Sequence, residues 1–204
     1  MIVNIFQKGH GLGYSKEHTA RVKADIVDAA GRAFRTKGYR GVGIDQIMSD
    51  AGLTRGGFYL HFKSKEALYA AVVAAPFDFT NQIGRLAEMA PGRIEDRVFF
   101  AIEHYLDPDQ RRKIGDACTM VALGAETARA SIAAKTAFAD GFEALLDTLV
   151  ELARADGHKV SRETFRAVIA QAVGALTMAR AMPDANGALV LRDARSQIAD
   201  MIRA

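Results

Sequence analysis

The chain of 204 residues has no tryptophan, one cysteine and four prolines, and these scarcities narrow what it can be. A lone cysteine, Cys118, cannot form an internal disulfide, which fits a reducing compartment and predicts a cytoplasmic protein. The shortage of proline, together with abundant alanine, favours helices over other structure. No run of 18 or more apolar residues occurs, so we expect no membrane span and no membrane partner.

The sequence motifs of the common enzyme classes are also absent. There is no phosphate-binding loop, no dinucleotide fingerprint, no zinc-protease His-Glu-x-x-His, no Cys-x-x-Cys and no Gly-x-Ser-x-Gly. The five histidines are scattered along the chain, so a metal site would have to assemble from distant residues. We therefore predict no catalytic residues, no metal and no cofactor.

Charge is distributed unevenly along the chain. The net charge is +3, but residues 1–65 hold 11 Lys and Arg against 5 Asp and Glu, or +6, while residues 66–204 carry −3. A basic first third on a slightly acidic body indicates that the first third meets a polyanion. A chance fluctuation of surface charge is the alternative explanation of the same numbers.

Apolar residues recur at helical spacing along the chain, and no segment has the alternation of a strand. We expect the first helix to be capped by Ser15 or Thr19 and to end at Gly38. The next three helices are predicted over Ile44–Ala51, over Arg55–His61 with Thr54 as its cap, and after the Ser64 cap. Pro76 marks a break, and later helices are predicted over about 77–89, 93–106, 118–129, 131–154 and 162–182. Pro183 to Gly187 is predicted as a turn before a last helix, which makes the fold all-α.

The segment around Gly52-Leu53-Thr54 carries the strongest signal. Two short helices joined by this turn fit a helix-turn-helix, with Gly52 at a left-handed turn position. The adjacent glycines Gly56 and Gly57 each cost about 1 kcal/mol of helix stability relative to alanine, so a chain that keeps both either needs close backbone approach or tolerates a frayed helix. The same segment is rich in side chains that can donate to phosphate oxygens: Arg55, Tyr59, His61, Lys63 and Lys65.

The helix predicted over residues 162–182 has a second apolar face beside its core stripe. The members of this face are small or flexible residues that would let another helix approach: Ala167, Gln171, Gly174 and Met178. A helix that is apolar on two sides is buried on two sides, which favours a homodimer interface. A central helix within a monomer is the other interpretation.

The stretch from Arg21 to Val73 resembles the DNA-binding domain of TetR/AcrR-type transcriptional regulators. The resemblance covers about a quarter of the chain and is carried by a set of short motifs: Ile26-Val27-Asp28-Ala29-Ala30, Phe34, Gly38-Tyr39, Ile47, Ala51-Gly52-Leu53-Thr54, Phe58-Tyr59, His61-Phe62 and Ser64-Lys65-Glu66-Ala67-Leu68. A second piece, residues 117–126, resembles a segment found in one subgroup of these regulators.

This resemblance implies a homodimer that places two recognition helices in successive major grooves of a pseudo-palindromic operator on double-stranded DNA. It implies a flexible arm over residues 1–15, a helix-turn-helix domain over 16–63, a connecting helix over 64–75 and a ligand-binding and dimerisation domain over 76–204. The residues nearest the bases would be Thr54, Arg55 and Gly56, while Tyr59, His61 and Lys65 would contact phosphates. Members of the family often have Thr or Ser just before the second helix, where this chain has Val42-Gly43, so Gly43 would contact phosphate through its main-chain N–H.

The resemblance also implies a repressor that a small molecule releases from DNA. We expect the ligand to be apolar or aromatic, because few charges fall among the residues predicted to line its pocket, which are Phe99, Phe100, Tyr105, Cys118, Met120, Phe138, Phe142 and Met178. For each of these residues, core packing is the alternative role.

Two other functions remain open from the sequence. Val42-Gly43 is the one feature that points to a helical binding or adaptor protein that has lost sequence-specific DNA recognition. Cys118 points to a redox-sensing regulator, although a buried, inert cysteine is the commoner case.

Overall fold

The computed structural model describes residues 16–75, 96–116 and 118–203, and every regular element within them is helical. The expected all-α fold is therefore confirmed. The α-helices of the described residues are α1 (Lys16–Lys37), α2 (Ile44–Asp50), α3 (Phe58–His61), α4 (Lys65–Ala74), α5 (Arg97–Tyr105), α6 (Thr119–Thr127), α7 (Ile132–Ala155), α8 (Arg162–Arg180) and α9 (Asp184–Arg203). Short 3-10 turns cover Arg55–Gly57 and Pro108–Arg111.

Three glycines end helices, and two of them, Gly38 and Gly52, stand where the sequence predicts a helix end. Gly38, Gly52 and Gly157 follow α1, α2 and α7, and their φ angles are 74°, 70° and 87°. These values lie in the left-handed region, which glycine enters without the steric penalty of a Cβ.

Serine side chains cap three helices. The hydroxyl of Ser64 accepts a hydrogen bond from the N–H of Ala67 at 3.1 Å, and Ser131 and Ser161 cap α7 and α8 in the same way. Thr54 was expected to cap its helix but makes no side-chain cap hydrogen bond, so that prediction is wrong. A tight 3-10 turn over Arg55–Gly57 begins this helix instead.

Two other boundaries differ from the sequence prediction. The last helix begins at Asp184, so residues 184–187 belong to α9 and do not form a turn. Proline directly before a helix is compatible with this start, because its missing N–H has no intrahelical partner there. The arm expected over residues 1–15 and the helix expected over 77–89 lie outside the described residues.

Two hydrophobic cores organise the described residues. The first joins the inner faces of α1 to α4 and includes Phe34, Ile47, Phe58 and Leu68, all fully buried. The second lies between α5, α7, α8 and α9. The first core also takes in Leu123 of α6 and Ala134 of α7, so the helix-turn-helix packs directly onto later parts of the chain.

Helix α4 connects the two parts by packing along α7, while α1 contacts α6. Among the helices of the described ranges, none is long and apolar enough to cross a membrane.

Candidate nucleic-acid interface

The turn between α2 and α3 is built by local backbone hydrogen bonds. The N–H of Leu53 donates to the carbonyl of Met48 at 2.8 Å, and the N–H of Gly52 donates to the carbonyl of Ser49 at 3.0 Å. This pair of bonds is the pattern that closes a helix on a left-handed glycine. The turn therefore fixes the direction in which the following segment leaves α2.

Two aromatic residues anchor the segment after the turn. Phe58 and Phe62 are buried, and their ring centroids lie 5.9 Å apart. The side chains of Tyr59 and Leu60 between them face outward and are 61% and 83% exposed. Spacing alone placed Tyr59 at the edge of the inner stripe without assigning its role, and gave no indication that Leu60 would be the more exposed of the two.

The exposed surface of this segment includes the residues predicted to read bases. Thr54, Arg55 and Gly56 are all exposed. The guanidinium of Arg55 forms an ion pair with the carboxylate of Asp45 on α2, with 2.9 Å between Nη1 and Oδ2. Sequence reasoning did not identify Asp45 as a partner of Arg55, because ten residues and a turn separate them.

Gly43 and Gly56 have open space around them. A Cβ built at either position would meet no atom within 4 Å, and neither glycine has a positive φ. Internal packing and backbone strain therefore do not explain why glycine stands at these two positions. Close approach by another surface is an explanation that fits both.

The predicted phosphate contacts differ in their surroundings. Lys63 is exposed, and His61 is partly buried. The ammonium of Lys65 donates to the carbonyl of Tyr39 and lies 4.4 Å from the centre of the Tyr39 ring. Burial lowers the pKa of Lys65, and the Glu126 carboxylate opposes that shift. Because the ammonium is already engaged within the chain, Lys65 has less freedom to reach a phosphate than Lys63.

The pair Val42-Gly43, which suggested an adaptor function, has a structural role. Val42 is buried in the first core at 4% exposure, and Gly43 begins α2 without a side-chain cap. The Val42-Gly43 pair thus joins a core residue to an exposed glycine at the start of α2.

Hydrogen bonds tie α1, the turn after it and α4 to later residues. The N–H of Tyr39 donates to Glu126 Oε2 at 2.9 Å, and Arg35 Nε donates to the carbonyl of Gly115 at 2.6 Å. The buried hydroxyl of Tyr69 lies 2.9 Å from Thr127 Oγ1. Desolvation raises the pKa of Tyr69, so its phenol is neutral at physiological pH.

A cleft of about 590 Å³ lies beside the Tyr39–Glu126 hydrogen bond and Tyr69. It is lined by residues from the end of α1, from α4 and from the junction of α6 and α7, among them Lys37, Arg40 and Arg129. None of the eight residues predicted to line a ligand pocket borders this cleft.

The structure does not gather those eight residues around one site. Phe138 packs against the first core, while Phe99, Tyr105, Met120 and Phe142 pack against the second. Phe100 and Cys118 are partly buried. Met178 is 54% exposed, which places it on the surface of α8 and away from the second core.

The second face of α8 is accessible, as its predicted role requires. Ala167 and Met178 are exposed, and Gln171 and Gly174 are partly buried. The side chain of Gln171 donates to Gln197 of α9 at 2.7 Å. A dimer interface at this face remains a prediction.

Metal-ligating side chains do not cluster in the described ranges. No group of three or more His, Cys, Asp or Glu side chains within residues 16–75, 96–116 and 118–203 is arranged to hold a metal ion.

Known proteins resemble this chain most clearly in its first third. The sequence pattern described as "Bacterial regulatory proteins, tetR family" matches residues 26–72. IcaR of Staphylococcus aureus strain Newman, a negative transcriptional regulator of the biofilm operon icaADBC, is 30% identical over 91 residues, which are 44% of this chain and 49% of IcaR. YfiR of Bacillus subtilis strain 168, an HTH-type transcriptional regulator, is 28% identical over 93 residues, 46% of this chain and 43% of YfiR. The chain thus spans less than half the length of each of these relatives.

The fold likeness extends further than the sequence likeness. The crystal structure of Escherichia coli NemR in its reduced form superposes with a TM-score of 0.67 at 21% sequence identity. The superposition covers 89% of this chain and 98% of the NemR chain. At this identity the likeness concerns the fold alone.

Proposed function

Since the chain belongs to the TetR family of bacterial regulatory proteins, whose members are transcriptional regulators and not enzymes, we propose that it is a ligand-released repressor. In this proposal a homodimer in the cytoplasm binds a pseudo-palindromic operator and leaves it when a small apolar or aromatic molecule binds the C-terminal domain. Repression is proposed because IcaR, one of the relatives, is a negative regulator.

The surface of residues 54–63 is the observation that carries the DNA-binding part of this proposal. Arg55, Tyr59 and Lys63 are exposed on a segment whose opposite side is anchored by buried phenylalanines. Such a segment can enter the major groove without giving up its core packing, as the second helix of a helix-turn-helix does.

The open surroundings of Gly56 and Gly43 support close contact with DNA. At Gly56 the missing Cβ allows the backbone beside Thr54 and Arg55 to approach base edges. At Gly43 the first N–H groups of α2 point to a phosphate, which accepts hydrogen bonds from unpaired amides at a helix start.

Each predicted DNA contact has a distinct role. Arg55 reads bases, because a guanidinium matches O6 and N7 of guanine. Phosphates are contacted by Tyr59, His61, Lys63 and Lys65. The ammonium of Lys65 must first release the carbonyl of Tyr39 before it can donate to a phosphate. Two copies of the chain join through the face of α8 that carries Ala167, Gln171, Gly174 and Met178. The two recognition segments, residues 54–63 of each copy, then reach one operator.

Fluorescence anisotropy tests this proposal with DNA from upstream of the chain's own gene. The variants Arg55→Ala and Lys63→Ala are compared because each removes one cation. We expect Arg55→Ala to cost about 1–3 kcal/mol on the specific site and to relax base preference. Lys63→Ala should weaken binding to specific and unrelated DNA alike, and reduce the dependence of log K on log salt by about 0.9 per protomer. Binding of the wild type that does not respond to salt would contradict the proposal.

A further inference from the structure

Leu60 is the most exposed large apolar side chain in the parts of the chain that the structure describes, and it lies in the recognition segment. It is 83% exposed, and its neighbour Tyr59 is exposed as well. Single exposed apolar residues are common on protein surfaces, so exposure alone assigns no role. The role of Leu60 depends on where its side chain points and on what surrounds it.

The buried phenylalanines determine where Leu60 points. Phe58 and Phe62, two residues before it and two residues after it, hold the segment to the first core. Successive residues of an α-helix are rotated by about 100°, so Leu60 is turned about 200° from Phe58 and faces away from the core. The Tyr59 ring packs edge-on against the Phe58 ring, with 5.2 Å between the centroids, and so lies to one side. Leu60 therefore occupies the middle of the outward face of α3.

The surface around Leu60 is cationic. Arg55 and Lys63 are exposed on the same segment, and Nζ of Lys23 on α1 lies 5.5 Å from the centre of the Phe62 ring. A cationic surface attracts a polyanion in preference to an apolar protein surface. Charge complementarity therefore favours DNA as the partner that covers Leu60.

The chemistry of the major groove narrows the contact further. Leucine makes no hydrogen bond, so it gains little from a phosphate. The base edges in the major groove present hydrogen-bond donors, acceptors and one apolar group, which is the C5-methyl of thymine. Gly56, four residues before Leu60, lets a base edge come close, because no side chain stands there and the space around it is open.

We propose that Leu60 is a specificity-determining residue that packs against the C5-methyl group of one thymine in each half-site of the operator. The proposal deepens the proposed function and rests on it, since it assigns a base to a residue that the sequence does not single out. Arg55 then reads guanine through hydrogen bonds and Leu60 reads thymine through apolar contact. The segment thus selects two kinds of base pair by two different interactions.

Deoxyuridine isolates this contact, because it pairs as thymidine does and lacks only the C5-methyl group. A duplex that the purified wild type selects from a randomised pool is prepared with deoxyuridine at one thymine position at a time, in both half-sites. Fluorescence anisotropy then measures affinity. At one position we expect binding to weaken about fourfold per half-site, or about fifteenfold for the symmetric duplex, as the loss of one buried methyl group in each half-site predicts.

Leu60→Ala should bind the thymine and deoxyuridine duplexes equally well at that position. Its urea unfolding should match that of the wild type, because Leu60 is not part of the core. Ile132→Ala is the matched control, since it also shortens an aliphatic side chain that is 76% exposed, but on α7. This variant should keep the wild-type response to deoxyuridine.

Three results overturn this inference: no deoxyuridine substitution weakens the wild type, Leu60→Ala keeps the wild-type response at every position, or the selected half-sites contain no thymine. Each of them is obtained on DNA that the wild type has selected, so each leaves the proposed function intact. A wild type that selects no sequence overturns the proposed function itself, and the role of Leu60 with it.

Discussion

Gly38 and Gly52 adopt the same left-handed backbone conformation in different surroundings. A Cβ at Gly52 would meet nothing within 4 Å, whereas a Cβ at Gly38 would lie 2.7 Å from Oε1 of Glu126. Glu126 cannot move away without losing its hydrogen bond from the N–H of Tyr39. Alanine at Gly52 therefore measures the cost of backbone strain alone, whereas alanine at Gly38 also disturbs the contact between α1 and α6.

We expect Gly52→Ala to destabilise the protein by about 1–2 kcal/mol, which is the cost of a left-handed alanine. Gly38→Ala should cost about 1 kcal/mol more, because it also displaces Glu126 from Tyr39. Urea unfolding of the two variants measures the difference. In a Glu126→Ala background the two substitutions should cost the same, and equal costs in the wild type would contradict this account of Glu126.

At the scale of elements, the ion pair between Asp45 and Arg55 links α2 to the recognition segment. Both side chains are about two-thirds exposed, so their attraction contributes at most about 1 kcal/mol to stability. Its larger effect is on DNA binding, because the Asp45 carboxylate restrains the arginine that is proposed to read bases and repels nearby phosphates.

Asp45→Asn should leave the unfolding free energy nearly unchanged and raise the affinity for unrelated DNA by about fivefold, since about 1 kcal/mol of repulsion is removed. Asp50→Asn makes the same charge change on the same helix, where the carboxylate accepts from Gln46 at 2.7 Å, and serves as the control. Anisotropy titrations with an unrelated duplex measure both variants. If both substitutions raised the affinity for unrelated DNA equally, only net charge would matter and the position of Asp45 beside Arg55 would have no special effect.

Sequence predicted the elements best where a single residue determines a boundary. Left-handed glycines ended α1 and α2 as expected, and the hydroxyl of Ser64 capped α4 as expected. The prediction failed at Thr54, where a 3-10 turn replaces the cap, because side-chain type does not determine whether the first turn is an α or a 3-10 turn.

Contacts between distant helices were not predictable from spacing. Phe138 and Phe142 stand one helical turn apart on α7, but Phe138 packs on the first core and Phe142 on the second. Helical spacing identifies an apolar face without identifying its partner.

At the scale of the whole molecule, the account depends on two copies of the chain joined through α8. Ala167 is exposed on the face proposed to meet its partner, and Ala144 is exposed on α7. Arginine at Ala167 should produce a monomer of 22.0 kDa that binds DNA weakly, because two unpaired cations would be buried at the interface. Arginine at Ala144 should leave the dimer intact. Sedimentation equilibrium measures both masses, and a dimeric Ala167→Arg protein would place the interface elsewhere.

Selection of binding sites from a randomised DNA pool by the purified protein tests whether a dimer reads DNA with residues 54–63. The account predicts that the recovered sequences share an inverted repeat whose half-sites are about one helical turn apart, or a multiple of it. Arg55→Ala protein should recover sequences with weaker preference at one position of each half-site. Recovery of no common sequence by the wild type, or of a single half-site without its repeat, would contradict a dimeric regulator that reads DNA with residues 54–63.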